Sequence, residues 1–153
     1  MIQNQNAFMV AEVELSYKTT FNISERPMIN SSKQAYAVLM SKWHMNRIEL
    51  VEEFKIILLN TQNRVLAIST VSQGGRAGTV ADPRMIFTTA LKICAVGIIL
   101  AHNHPSSNLK PSQDDLRLTN QLKAAGLLLE IPILDHLIIT KTGYYSFGDA
   151  GLL

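Results

Sequence analysis

The sequence contains little cysteine, little charge and no long apolar run. Its single cysteine, Cys94, lies in the apolar stretch ICAVGIIL, which excludes an internal disulfide and predicts a small buried hydrophobe in a reducing compartment. The longest apolar stretch, residues 93–101, falls well short of the roughly 20 residues that span a bilayer. A basic segment followed by an apolar one is missing at the N-terminus. We therefore expect a cytoplasmic protein without a membrane partner.

The composition is that of one globular domain. The chain has 153 residues, 47% apolar and 17% charged, which is enough to bury an ordinary core. Its net charge is +2, and the basic residues are scattered rather than gathered in a run. A nucleic-acid partner is therefore permitted but weakly supported. The pattern specifies no oligomeric state.

Residues 1–31 are predicted to form an N-terminal extension, in which AEVELSYKT (11–19) alternates like an edge strand. The domain is expected over residues 32–153. It begins with a serine-capped helix, SSKQAYAVLMSKWHM, in which Trp43 is a core anchor. EEFKIILLN and RVLAISTVSQ then form a predicted hairpin, followed by a glycine-rich loop over 73–83.

Two more helices are predicted, each ahead of an apolar segment. Asp82 caps the first helix, with Pro83 in its first turn, and this helix leads into the buried strand AVGIILAH. Ser112 opens the second, which Gly126 is expected to end in the C′ position. The segment LLLEIPILDHLIITKTGYYSF reads as a strand interrupted at Pro132 and then a second strand or hairpin. This order predicts an α/β fold of three layers, a mixed β-sheet flanked by helices.

The sequence AHNHPSSNLKPSQDDL contains a candidate metal site. His102 and His104 point the same way in an extended segment, at the end of a buried strand. Asp115 is the third residue of the helix that Ser112 caps, so its carboxylate lies near the preceding loop. Two imidazoles and a carboxylate would leave the fourth position of a zinc ion open, as in catalytic sites.

Each part of this pattern has an ordinary structural explanation. Ser112 and Asp115 have the spacing of a capping box, and an isolated His-x-His is more often a surface or hydrogen-bonded pair. Together, the two histidines at a strand end and the acid at the head of the next helix favour the metal site.

Glu52 is the candidate general base. It shares a strand face with Phe54 and the apolar residues beyond it, whereas Glu53 shares the opposite face with Lys55. The latter pair is predicted to form a solvated edge, which leaves Glu52 as the carboxylate directed toward an apolar face. A strand-end glutamate that merely reaches water is the alternative.

Glu52, the two histidines and Ser-x-x-Asp resemble the JAMM (MPN+) metalloprotease motif, and the chain is most similar to the RadC family within that superfamily. LAHNHPSS, PSQDD, EEFKIILLNTQN, ADPRMIFTTALK, ILDHLIIT and YYSF carry the resemblance over about residues 45–150. The resemblance implies a JAB/MPN fold, related to the cytidine deaminases. It implies that His102, His104 and Asp115 hold Zn²⁺, that Glu52 is the general acid and base, and that Ser112 hydrogen-bonds the oxyanion. The implied activity is hydrolysis of a peptide or isopeptide substrate.

The chain departs from RadC proteins in two places. They usually follow His-Pro-Ser with glycine and an acid, where this chain has Ser107 and Asn108, so the loop beside the cleft is expected to differ. The longer members also carry a helix-hairpin-helix region that residues 1–31 do not resemble. A binding or accessory module of DNA repair or DNA metabolism, with the same fold but without turnover, is the alternative function.

Five further polar residues have ordinary interpretations. His44 is predicted to be a surface residue, Asp114 a first-turn acid, and Arg84 either a surface residue or the counterpart of the family's Pro-Arg pair. Asp135 and His136 point to opposite faces of a strand, so one of them could support a metal-bound imidazole.

Overall fold

A computed structural model describes residues 8–74 and 81–153. Its centre is a mixed five-stranded sheet in the order β2-β1-β3-β4-β5, in which only the β3–β4 pair is parallel. The strands are β1 (Glu53–Leu59), β2 (Val65–Gln73), β3 (Gly97–Asn103), β4 (Ile133–Ile139) and β5 (Tyr144–Ser146). Strands β1 and β2 form the predicted hairpin, and β4 and β5 form a second one.

Helices cover both faces of the sheet. They are α1 (Ser32–Met40), α2 (Pro83–Lys92) and α3 (Gln113–Leu128), and a single 3₁₀ turn (Ile23–Glu25) precedes them. The core on one face joins apolar residues of α2 and α3 to alternate residues of β1 and β3. The core on the other face joins α1 and Trp43 to the intervening residues of the same strands. The predicted three-layer α/β architecture is therefore confirmed.

All seven residues of β1 and all seven of β3 are buried. Because the strands are central and covered on both sides, their side chains alternate between two apolar layers rather than between core and water. This arrangement sends the final residues of β3 into the protein interior. His102 and Asn103 are therefore buried on opposite faces of the sheet.

The helix starts follow the capping signals in the sequence. The side chains of Ser31, Asp82 and Ser112 each accept a hydrogen bond from a first-turn amide. Helix α1 ends at Met40, earlier than the apolar pattern predicts. Trp43 nevertheless packs in the core from the turn that follows, as expected of an anchor residue.

The predicted edge strand does not form, since residues 11–19 belong to no strand. Polar groups of this segment and of the residues that follow it bind the start of β2 instead. Val65 donates its amide to the carbonyl of Pro27, and the carbonyl of Leu66 accepts from the Tyr17 hydroxyl and the Arg26 guanidinium. The N-terminal segment is thus attached by side-chain hydrogen bonds and one isolated main-chain bridge, between Met28 and Arg64, rather than by a strand ladder.

Cys94 is exposed, so its predicted burial is wrong. It lies in the turn after α2 with a φ of 54°, in the left-handed region, and its amide donates to the carbonyl of Leu91. The apolar run around it is therefore not one strand, because β3 begins only at Gly97.

Gly126 does not end α3, which continues to Leu128. The left-handed position belongs to Glu130, with a φ of 58°. Gly126 is instead a close-approach site, because a Cβ there would lie 2.5 Å from the carbonyl oxygen of Ile131. A turn at residues 129–130 reverses the chain before Pro132. The strand predicted ahead of that proline does not form, because its residues belong to the end of α3 and to this turn.

No helix in the described part of the chain is long and apolar enough to cross a membrane. Most of the predicted glycine-rich loop, residues 75–80, lies outside the described residues.

Candidate metal centre

The end of β3 holds the two candidate histidines. His102 pairs with Phe54 across the β1–β3 ladder, and the two rings are nearly parallel, with centroids 6.0 Å apart. His104 follows where the strand becomes a loop. Its Nε2 atom lies 2.9 Å from Nε2 of His102, so the imidazoles meet as the alternation of an extended chain predicts.

Asp115 completes the cluster from the first turn of α3. Its Oδ1 lies 3.2 Å from His102 Nε2, and its Oδ2 lies 3.5 Å from His104 Nε2. The capping box fixes this carboxylate, because Oδ2 accepts the Ser112 amide at 2.7 Å while Ser112 Oγ accepts the Asp115 amide at 3.0 Å. One ligand atom from each of the three residues lies within 4.8 Å of the others.

These donors fit a metal cation. His104 Nδ1 lies 2.6 Å from the carbonyl oxygen of Asn108, which can only accept, so Nδ1 carries the proton. The lone pair of a neutral His104 is therefore on Nε2, facing His102 and the carboxylate. Converging lone pairs and a negative charge could hold a metal cation, and imidazole nitrogen with carboxylate oxygen is a set that zinc accepts.

The charges within the cluster reinforce one another. The hydrogen bond with Asp115 raises the pKa of His104 against the opposing effect of burial, and the charge of Glu52 contributes in the same direction. Burial opposes ionisation of Asp115, but the adjacent imidazoles of His102 and His104, when protonated, outweigh it and hold the pKa of that carboxyl well below its ordinary value. Asp115 is thus an anion at every pH at which it could serve as a ligand.

A cleft of about 830 Å³ opens beside the cluster, and its wall includes Glu52, His104 and Ser112. Glu52 is half-buried, one residue before β1, and its carbonyl accepts the amide of Gly74 at 2.9 Å. The fold thus brings the predicted base and the predicted oxyanion donor to the same cleft as a candidate ligand. Their chemical roles stay predictions.

Asn103, between the two histidines, holds the segment that carries Glu52. Its Nδ2 donates to the carbonyls of Ile48 and Val51 at 2.7 and 2.9 Å, and its Oδ1 accepts the Glu53 amide at 2.7 Å. The alternation of an extended chain places Asn103 on the strand face opposite the two histidines, without indicating its partners. A buried amide in an apolar strand was the available signal, since such a group needs partners.

Glu53 and Lys55 do not form a solvated edge, and this prediction is wrong. Both are buried, and Lys55 Nζ lies 3.1 Å from Glu53 Oε2 and 2.7 Å from Thr70 Oγ1. The same ammonium lies 5.1 Å from the centroid of the Trp43 ring. Because β1 has a strand on either side and helix-side packing on both faces, its second face is also interior.

His136 is the member of the Asp-His pair that supports the site. Its Nε2 lies 2.8 Å from His102 Nδ1 and its Nδ1 lies 2.6 Å from Thr119 Oγ1. Complete burial lowers the pKa of His136 well below its ordinary value, which keeps the ring neutral. Asp135 faces away and accepts hydrogen bonds from the Ser146 hydroxyl and the Gly148 amide.

The remaining polar residues lie away from the cluster. His44 is exposed, Arg84 pairs with Asp82, and Asp114 pairs with Arg117 on the surface of α3. These contacts agree with their predicted surface roles.

Two histidines at the end of a central strand and an aspartate at the head of the next helix define a class of mixed-sheet α/β proteins in which an open cleft adjoins a cluster that could hold a metal ion. A family model described as the RadC-like JAB domain matches residues 29–152. The chain therefore belongs to the RadC family, as the motifs predict.

Curated relatives agree with this assignment. A UPF0758 protein of Flavobacterium johnsoniae is 43% identical over 146 residues, covering 94% of this chain and 62% of the relative. Another from Thermosynechococcus vestitus is 42% identical over 145 residues, covering 92% and 56%. A third, from Symbiobacterium thermophilum, is 43% identical over 103 residues, covering 67% and 44%. The chain thus spans about half to two thirds of the length of these relatives.

Proposed function

We propose that the chain is a zinc-dependent hydrolase of the RadC and JAMM type, a metallopeptidase or isopeptidase. The convergence of His102 Nε2, His104 Nε2 and the Asp115 carboxylate beside a cleft containing Glu52 carries the proposal. A zinc ion held by these three residues would supply Lewis-acid chemistry and lower the pKa of water. Three protein ligands are the number found in catalytic zinc sites.

The chain's own residues would perform the proton transfers. Glu52 takes a proton from water as the water oxygen bonds to the amide carbon, and returns it to the nitrogen as the C–N bond breaks. The Ser112 hydroxyl keeps its proton and uses it to donate a hydrogen bond to the oxygen that becomes negative. That proton is available because Ser112 Oγ acts as an acceptor toward the helix amide.

Metal analysis tests the first half of this proposal. We expect the wild type, purified without chelators, to carry about one zinc per chain, and a His102→Ala, His104→Ala double variant to carry almost none. Circular dichroism checks that the variant is folded. Negligible zinc in both proteins, with no uptake when zinc is added, would exclude the metal site.

A substitution in the cleft tests the second half. With quenched-fluorescent peptides and lysine-linked isopeptides as probes, Glu52→Gln should retain zinc and lose hydrolysis. Glu49→Gln is the matched control, because Glu49 lines the same cleft but is exposed and pairs with Lys141. Equal hydrolysis by wild type and Glu52→Gln would refute the assignment of the base. Glu53→Gln is a poorer control, since Glu53 is buried beside Lys55.

The alternative, a non-catalytic accessory module of DNA metabolism, requires a surface that binds phosphates. Among the described residues 8–74 and 81–153, the charged members of the cleft wall other than the histidine are two acids, Glu49 and Glu52, and one base, Lys110. Such a balance is unfavourable for a nucleic-acid backbone. A mobility shift that weakens steeply across a salt series would favour the alternative.

A further inference from the structure

A chain of buried polar groups links two of the candidate ligands. Thr119 Oγ1 lies 2.6 Å from the main-chain carbonyl oxygen of Asp115 and 2.6 Å from His136 Nδ1. His136 Nε2 in turn lies 2.8 Å from His102 Nδ1. The relative exposures of Thr119 and His136 are 1% and 0%, so water does not compete for these bonds.

The carbonyl at one end fixes the direction of every bond. A carbonyl oxygen can only accept, so the Thr119 hydroxyl donates to Asp115 and its oxygen accepts from His136 Nδ1–H. A neutral His136 with its proton on Nδ1 has a lone pair on Nε2. That nitrogen must accept from His102 Nδ1–H, so a neutral His102 has its lone pair on Nε2, facing the cluster.

Aromatic packing fixes the planes of these two rings, and the hydrogen bonds fix which ring edge faces which partner. The ring of Phe54 lies parallel to that of His102, and the ring of Phe147 stacks on His136 with centroids 4.6 Å apart and planes 17° apart. A half-turn of either imidazole would keep the ring plane but put carbon where nitrogen now lies, and so would break the hydrogen bonds. With the rings held, the remaining variable is which nitrogen of each ring carries the proton. The hydrogen bond between Thr119 and His136 Nδ1 determines it.

We propose that Thr119 and His136 are positioning residues that hold His102 in its metal-binding tautomer, with Nε2 unprotonated, before any metal arrives. The inference rests on the metal site of the proposed function. Without the threonine hydroxyl, His136 is free to carry its proton on Nε2 and donate it to His102 Nδ1. His102 would then carry its own proton on Nε2, where a metal must bind.

Zinc affinity tests this role in a matched pair of variants. Thr119→Val keeps the shape of the side chain and removes the hydroxyl, whereas Thr119→Ser keeps the hydroxyl. Competition with a chromophoric chelator should show zinc binding to Thr119→Val weakened by about 10–100-fold, the usual effect of losing such a supporting group, while Thr119→Ser binds like the wild type. Wild-type affinity in Thr119→Val, or equal weakening in both variants, would overturn the proposal.

A second measurement separates this inference from the proposed function. Long-range ¹H–¹⁵N spectra of the metal-free protein at mildly alkaline pH report which nitrogen of each histidine carries the proton. We expect the proton of His102 on Nδ1 in the wild type and Thr119→Ser, and on Nε2 in Thr119→Val. If the wild type takes up no zinc, the proposed metal site fails while these spectra still test the tautomer. A wild-type His102 protonated on Nε2 would refute the inference.

Discussion

Removal of the Asn103 side chain should cost the domain a large part of its stability. The side chain is fully buried and forms three hydrogen bonds, with the carbonyls of Ile48 and Val51 and the amide of Glu53. Asn103→Ala leaves three main-chain groups without that partner, and an unsatisfied buried group costs about 1–3 kcal/mol. We therefore expect a loss of about 3 kcal/mol or more, a large share of the about 5–15 kcal/mol typical of a domain.

Urea unfolding followed by the fluorescence of Trp43 measures this loss, since this is the only tryptophan and it is buried. Asn120→Ala is the control, because Asn120 is exposed on α3 and its removal should change stability by no more than about 0.5 kcal/mol. Asn103→Asp keeps an acceptor for the Glu53 amide but faces two carbonyls with an acceptor, so it should also destabilise. A loss below about 1 kcal/mol for Asn103→Ala, with unchanged hydrogen exchange at the Glu53 amide, would refute the reasoning.

Three further substitutions give distinct outcomes in the same unfolding assay. Gly126→Ala should destabilise the domain by about 1–3 kcal/mol despite the higher helix propensity of alanine, because the new Cβ would lie 2.5 Å from the Ile131 carbonyl oxygen. An unchanged free energy of unfolding would show that the turn after α3 moves to make room for the methyl group. Lys55→Met should cost about 3–5 kcal/mol by leaving the Glu53 carboxylate buried without its ammonium partner, and a Lys55→Met, Glu53→Gln double variant should recover much of it. Equal stability of the single and double variants would contradict that explanation. Ser107→Gly should stabilise by about 0.5–1 kcal/mol, because Ser107 has a φ of 62°; Ser107→Ala, which retains a Cβ, should give no such gain.

Much of the fold and the candidate ligand cluster could be predicted because their signals are local. The alternation along the end of β3 placed His102 and His104 side by side, and the Ser-x-x-Asp spacing placed Asp115 in a first helical turn. Both patterns depend on the geometry of a single element. The predicted positions of residues are therefore confirmed where the geometry of one strand or one helix determines them.

The errors concern residues whose surroundings come from distant parts of the chain. Glu53 and Lys55 are charged residues of the kind that usually face water. Trp43 packs over Lys55, and Thr70 of the neighbouring strand β2 accepts its hydrogen bond, so this face is buried. Gly126 has the signature of a helix end, but the approach of Ile131 gives it another role. Thr119 gave no signal by itself, because its role depends on His136 in the following strand.

The ligands and the base differ in how far along the chain they lie. His102, His104 and Asp115 fall within one short stretch that contains a strand end, a loop and a helix start, whereas Glu52 reaches the cleft only through pairing of β1 with β3 and the Asn103 contacts. A partly unfolded chain that has lost the hairpin could thus still bind a cation through the local stretch. The proposed metal binding and the proposed hydrolysis would then separate during denaturation, and a metal-loaded preparation would not guarantee that Glu52 is in the cleft.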